Sequence, residues 1–403
     1  MLAILKILVT LALIVFLLNR KVKMGNAMLA GTTVLWLLSG GNLLHAQTAV
    51  INTVQSHSTW EIVLALYFVM CLEYQLRTGG IIDGLMTTAR RALRSERILL
   101  ALMPAFLGFL PSLGGAIFSA PLVESASKPY QLTPETKTAI NYWFRHIWEY
   151  TNPIFTGMLL ASQLSNIPLS ALIANMAWLT VLATVIGWLF FLTMLKKQPA
   201  PAAPVNTSQA ADRGYYYVTL AAGPIIVNFM LVVFLKLAAA VSMALVVAAM
   251  VLLLRQNLTG IRAMLAHALD RKLLWGIVAI LFFQNILRQT GAIEDIAVLL
   301  NNLAISNAVV VGAIAFIAGI LTGTSQGFVA ITFPFIAVLS PGDITLAMVC
   351  FALGTAGQML SPAHLCLLVT LDYFKADFLK TLRPVACLEL IMIIAVCVVT
   401  TFH

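Results

Sequence analysis

Long apolar runs separated by short polar segments make up almost the whole chain, and two of those runs are interrupted in the middle. Residues 106–121, FLGFLPSLGGAIFSAP, are broken by Pro111 and the pair Gly114-Gly115, and residues 316–334, FIAGILTGTSQGFVAITFP, by a Gly/Thr/Ser stretch. A helix needs about 20 apolar residues to cross a bilayer, and no arm of either run reaches that length. Both tips carry small or hydroxyl residues where a lipid-facing segment carries large aliphatics. The pattern predicts two re-entrant helical hairpins, 98–125 and 303–340; a glycine-kinked spanning helix is the alternative at each place.

Crossing helices are predicted at 1–19, which reads as a retained first helix with its amino terminus outside, and at 24–44, followed by an external loop over 45–60 without Lys or Arg. A helix at 61–76 then leads to a basic cytoplasmic segment with Arg77, Arg90, Arg91, Arg94 and Arg97. After the first hairpin, Thr133, Pro134 and Glu135 mark a strong helix start. That helix, 134–163, breaks at Asn152-Pro153, because proline removes a hydrogen bond and disfavours helical geometry in the residue before it. A further helix ends at Lys196-Lys197. Residues 196–213, KKQPAPAAPVNTSQAADR, form a polar cytoplasmic linker. Helices at 214–235, 237–254 and 273–287 follow, then the second hairpin, a helix over 343–372 broken at Ser361-Pro362, and a last helix whose end lies outside.

The two halves, 1–195 and 214–403, resemble each other. Leu76-Arg77, Gly80, Ile82 and Asp83 match Leu287-Arg288, Gly291, Ile293 and Glu294 at a displacement of about 211 positions, and Gly108 matches Gly319. Pro121 lines up with Pro334, and Asn152-Pro153 with Ser361-Pro362. Each half then has five crossing helices, one of them proline-broken, and one re-entrant hairpin. An odd number of crossings inverts the second half, and the Lys/Arg distribution calls for the same inversion. Inverted repeats whose broken helices meet at mid-membrane mark secondary transporters.

Composition narrows the class. With 61% hydrophobic and 10% charged residues over 403 positions, and a mean hydropathy of +0.96, the chain is an all-α polytopic membrane protein whose principal partner is the lipid bilayer. Its net charge of +9 comes from short loops, so it encodes topology and gives no ground for nucleic-acid binding. The five cysteines show no paired or Cys/His metal spacing and read as small core residues, with no resident metal or cofactor expected. No Walker A, HExxH or GxSxG motif supports ATP coupling or hydrolysis, so an enzyme is not expected.

Where a helix breaks inside the membrane, freed amides suit an anion and freed carbonyls a cation. Two tips and two breaks converging on a pseudo-two-fold axis would gather Ser112, Gly114, Gly115, Ser119 and Asn152 with Thr322, Thr324, Ser325, Gln326, Gln358 and Ser361. Small residues for tight helix packing are the plain alternative. Asn141, Arg145, Glu149 and Asn152 share one helical stripe, with His146 beside it. Arg145 or His146 would meet an anion and Glu149 a cation or proton; a structural Arg145/Glu149 pair is the alternative. His364 is a site ligand or a core histidine. Glu73, Lys236 and Glu389 are lone charges in apolar helices, and Glu389 is deep enough to be a proton-coupling candidate.

The segments GFLPSLGGAIFSAPLVE, NYWFRHIWEYTNP and TGTSQGF are similar to the bacterial and archaeal integral-membrane family catalogued as domain of unknown function 401, over nearly the whole chain. That family resembles a branch of the ion-transporter superfamily, with its divalent-anion/sodium symporters and gluconate permeases. The resemblance implies an elevator-type fold of inverted repeats, often a homodimer, with substrate and cation at tips 112–115 and 322–327 and at the breaks. The tips here read Pro-Ser-Leu-Gly-Gly and Gly-Thr-Ser-Gln-Gly where those symporters have Ser-Asn-Thr. The expectation is a secondary active transporter of the bacterial inner membrane, moving a small, polar, carboxylate-like solute with Na+ or H+. A membrane-embedded binding or lipid-handling protein is the alternative, and an intramembrane enzyme using His146, Glu149 and His364 a third.

Overall fold

In an apolar surrounding each backbone N–H and C=O needs a partner within the chain, and among the residues described there are helices and turns but no strands. The structure, a computed structural model, describes residues 2–20, 22–92, 95–109, 115–193, 195, 214–290 and 306–401. The first half contains α1 (Leu2–Asn19), α2 (Met24–Leu38), α3 (Leu43–Gln55), α4 (His57–Thr78), α5 (Ile81–Ala92), α6 (Glu96–Phe109), α7 (Gly115–Ser127), α8 (Pro134–His146), α9 (Thr156–Ser165) and α10 (Leu169–Phe191). The second contains α11 (Gly214–Val233), α12 (Ala239–Leu253), α13 (Leu258–Ala268), α14 (Arg271–Gln289), α15 (Asn307–Thr322), α16 (Ser325–Leu339), α17 (Ile344–Met359), α18 (Leu365–Phe374) and α19 (Phe378–Thr401). Among them α4, α10, α11 and α19 are long and apolar enough to cross a membrane. Large apolar side chains stand on their outer faces, Val181 at 62% exposure and Leu390 at 58%, as lipid contact requires.

The helices pack as two groups. In one, α6 and α7 lie together and against α8, α15 pairs with α16 and along α17, α16 packs on α9, and α18 packs on α7 and α8. In the other, α2 packs on α1 and α14, α4 on α12 and α13, and α5 on α11. α10 and α19 flank the first group, contacting α8 and α17. Among the described residues the groups touch through pairs such as α1 with α15, α4 with α9 and α14 with α16.

Several details depart from the sequence reading. The second helix ends at Leu38, because Gly40 (φ +100°) and Gly41 (φ +62°) turn the chain, and the expected external loop over 45–60 contains α3, capped by the Asn42 side chain accepting from the Leu44 amide. Of the basic segment, Arg90 and Arg91 lie on α5 and Arg97 at the start of α6, and Arg94 lies outside the described residues. Lys236 lies in an exposed turn past the end of α11. Glu73 is not alone: Arg77 and His267 approach it at 3.5 and 3.8 Å. α8 stops at His146, earlier than the expected break, so the stripe from Asn141 does not continue as helix to Glu149 and Asn152. The linker 196–213 and the repeat positions Gly291, Ile293 and Glu294 lie outside the described residues.

Two glycines fix how closely helices of the first group approach one another. A Cβ on Gly108 of α6 would fall on the backbone carbonyl of Arg145 in α8, and one on Gly319 of α15 on the backbone carbonyl of Gly354 in α17. Small side chains at a helix crossing let backbones touch in the membrane. Gly319→Ala is therefore expected to lower thermal stability in detergent by about 1–3 kcal/mol, the usual cost of overpacking. Gly223→Ala, with its nearest obstacle at 4.0 Å, is expected to leave the unfolding midpoint unchanged or raise it; equal loss in both would show that the close approach is not what matters.

Candidate functional site

Both broken helices solve the same problem with the same device. Proline at 153 and 362 cannot donate a backbone hydrogen bond, and the residue before each lies outside helical geometry. Asn152 Oδ1 accepts from the Ile154 amide at 3.1 Å, and Ser361 Oγ accepts from the Ala363 amide at 3.1 Å. Each side chain also reaches the neighbouring hairpin arm: Asn152 Nδ2 donates to the Phe109 carbonyl at 2.9 Å, Ser361 Oγ to the Ile320 carbonyl at 2.5 Å. All three pairs of positions are displaced by about 210 residues, the displacement at which the two halves of the sequence resemble each other.

Between these breaks the two halves meet. Glu149, in the non-helical stretch after α8, accepts from Gln358 Nε2 on α17 at 3.0 and 3.1 Å. His146 closes α8 and His364 precedes α18, and their Nε2 atoms stand 3.0 Å apart. His146 Nδ1 donates to the Tyr142 carbonyl at 2.6 Å and His364 Nδ1 to the Gly323 carbonyl at 2.8 Å. The second of these ties the α15–α16 turn, where Gly323 has φ +62°, to the break in the following helix. Tyr142 stands edge-on to both imidazoles, with centroids 4.8 and 5.3 Å away, and its hydroxyl donates to the Met359 carbonyl at 3.1 Å. Arg145 Nη1 donates to the Leu107 carbonyl of α6 at 3.1 Å. Arg145, His146, Glu149, Gln358 and His364 are all buried.

Other expected site residues take supporting positions. Thr324 caps α16 by accepting from the Gly327 amide at 3.2 Å, and Thr322 Oγ1 donates back to Ala318 at 2.8 Å. Ser325 Oγ lies 3.4 Å from Gln326 Oε1 and packs where Gly157 of α9 leaves room. Asn141 is further along α8, donating to Thr370 Oγ1 at 3.2 Å. Ser119 is buried on α7, which opens at Gly115. Ser112 and Gly114 lie outside the described residues.

Beside this junction the structure places further groups, among them Glu389, the proton-coupling candidate of the sequence. A small cavity beside His146 is lined by Trp143, Tyr150, Thr355, Met359 and Glu389. Thr355 Oγ1 and Glu389 Oε2 are buried there without a hydrogen-bond partner among the described residues. Cys366, two residues after His364, brings its Sγ to within 4.8 Å of a ring nitrogen of each histidine. Glu389 was visible as a charge in an apolar run; Cys366 gave no signal, because its partner His146 is remote in sequence.

A helical bundle with two broken helices, facing each other through buried ionisable side chains, defines an α-helical membrane protein with a polar centre. The chain belongs to the family described as "Protein of unknown function (DUF401)", whose profile matches residues 1–402. No curated protein matches it. Among solved structures it is similar to the YdaH transporter of Alcanivorax borkumensis, with a TM-score of 0.58 and 14% identity over 87% of this chain and 86% of that one. At that identity the likeness is one of fold.

Gln358→Leu removes both hydrogen bonds from the buried Glu149 carboxylate. It is expected to cost about 1–3 kcal/mol, the penalty for an unsatisfied buried polar group, read as a lower thermal midpoint. Adding Glu149→Leu is expected to recover part of that loss; a double variant no better than the sum of the singles would disprove the coupling.

Proposed function

We propose that the protein is a secondary active transporter of a small, polar, carboxylate-like solute, coupled to Na+ or H+ and working by alternating access in the bacterial inner membrane. The observation that carries this reading is the junction itself: His146 and Glu149 from one break meet His364 and Gln358 from the other, with Arg145 buried at the end of the same helix, inside an otherwise apolar bundle. Ionisable groups are expensive at such depth and are kept where they bind or relay charge. Both half-helices that leave the breaks, α9 and α18, start without a side-chain cap on their first amides. Helix amino termini attract anions, which together with Arg145 favours a carboxylate.

The paired hydrogen bonds of Asn152 and Ser361 and the paired close contacts of Gly108 and Gly319 support an internal duplication, read as inverted repeats of the ion-transporter superfamily type. The similarity in fold to a transporter supports the same class. The two helix groups suit an elevator: α6–α9 with α15–α18 carry the site, and α1–α5 with α11–α14 form the scaffold against which it moves. Sparse contact between the groups leaves little to break during such a motion.

The test begins with thermal-shift screening of carboxylates against Na+ and pH, since a ligand stabilises the state that binds it. Uptake of each hit into proteoliposomes is then measured with and without ion gradients. Uptake driven by a Na+ or H+ gradient is the expected result, and flux indifferent to every gradient would refute coupled transport. Arg145→Lys, which keeps the charge but loses the planar fork, is expected to slow uptake roughly tenfold, the equivalent of about 1.4 kcal/mol.

A further inference from the structure

Two imidazole nitrogens 3.0 Å apart require something between them. Carbonyl oxygens only accept, so the bonds from His146 Nδ1 to Tyr142 and from His364 Nδ1 to Gly323 place the proton of each neutral ring on Nδ1. Both Nε2 lone pairs then point at each other, and that contact is repulsive unless a cation lies in it. A ring nitrogen held by a backbone carbonyl while the other faces inward is also the usual arrangement of a metal-ligating histidine.

The third donor sets the kind of cation. Cys366 Sγ and one ring nitrogen of each histidine all lie within 4.8 Å of one another, and a Glu149 carboxylate oxygen stands 3.8 Å from His146 Nε2. Two imidazoles with a thiolate suit Zn2+ and its neighbours, whereas Mg2+ and Ca2+ take oxygen ligands. Zinc–nitrogen and zinc–sulfur bonds of about 2.0–2.3 Å require the sulfur to move inward by roughly 1 Å. Cys366 opens the first turn of α18 and is only partly buried, which leaves it room to do so.

We propose that His146, His364 and Cys366 bind one thiophilic transition-metal cation of the Zn2+ class, with Glu149 as the fourth donor. The site joins the two halves of the chain at their helix breaks. It goes beyond the transport reading and does not depend on it, because its test is equilibrium binding in detergent.

The experiment uses the full chain, purified without a histidine tag and stripped with a chelator, then titrated with Co2+ and Zn2+. One Co2+ per chain is expected, with tetrahedral visible bands and a near-ultraviolet sulfur-to-cobalt charge-transfer band. Cys366→Ser is expected to lose the charge-transfer band while keeping the visible bands, and to bind Zn2+ at least about tenfold more weakly. His364→Gln is expected to weaken Zn2+ similarly, with Mg2+ and Ca2+ without effect on any form. Since Cys366→Ser is nearly isosteric, its thermal midpoint without metal serves as the folding control. A parent protein without the charge-transfer band, or variants that bind Zn2+ as tightly as the parent, would overturn the site and leave a proton shared by the two histidines as the cation between them.

Discussion

An unpaired backbone group in an apolar interior costs more than most side-chain contacts repay, and this chain interrupts two of its central helices with proline. Everything at the centre follows from how those interruptions are satisfied. Asn152 and Ser361 each accept from an amide beyond the break and donate to a carbonyl of the adjacent hairpin arm. One short polar side chain thereby closes the gap in its own helix and fixes the position of a neighbour. The breaks are held open in a defined shape, and polar side chains can occupy the space between them.

Close backbone approach is the second half of the same solution. Gly108 and Gly319 let α6 and α15 lie directly on the broken helices, which puts the Phe109 and Ile320 carbonyls within reach of the break residues. Arg145 uses the same proximity to bond the Leu107 carbonyl. Around this tightly fitted centre the outer helices present aliphatic faces, so the polar groups are enclosed by protein and the protein by apolar surface.

Much of this architecture was legible in the residues. The Thr133-Pro134-Glu135 start, the Asn-Pro and Ser-Pro interruptions and the placement of Gly108 and Gly319 all have local physical causes: α8 starts at Pro134 and α9 and α18 begin just past the prolines, although α8 ends short of its proline. Less legible were features that depend on distant partners. The helical turn count placed Glu149 on a stripe with Arg145, but α8 ends at His146 and Glu149 instead meets Gln358 from the other half. The histidine pair has no spacing motif, because its members are brought together only when the halves associate. The helix α3 was hidden for a different reason: a loop without basic residues reveals which side it is on and nothing of its conformation.

The same separation sets an order of assembly. Glu149 and His146 leave the ribosome about 210 residues before Gln358 and His364, which at 5–20 residues per second is a wait of roughly 10–40 s. During that interval the first half holds buried ionisable groups whose partners have not been made. Its charged break must stay hydrated, sheltered by insertion machinery or only partly inserted until the second half arrives. The centre of the molecule is thus completed last, and a nascent chain stalled within its second half would expose the groups that the finished protein encloses.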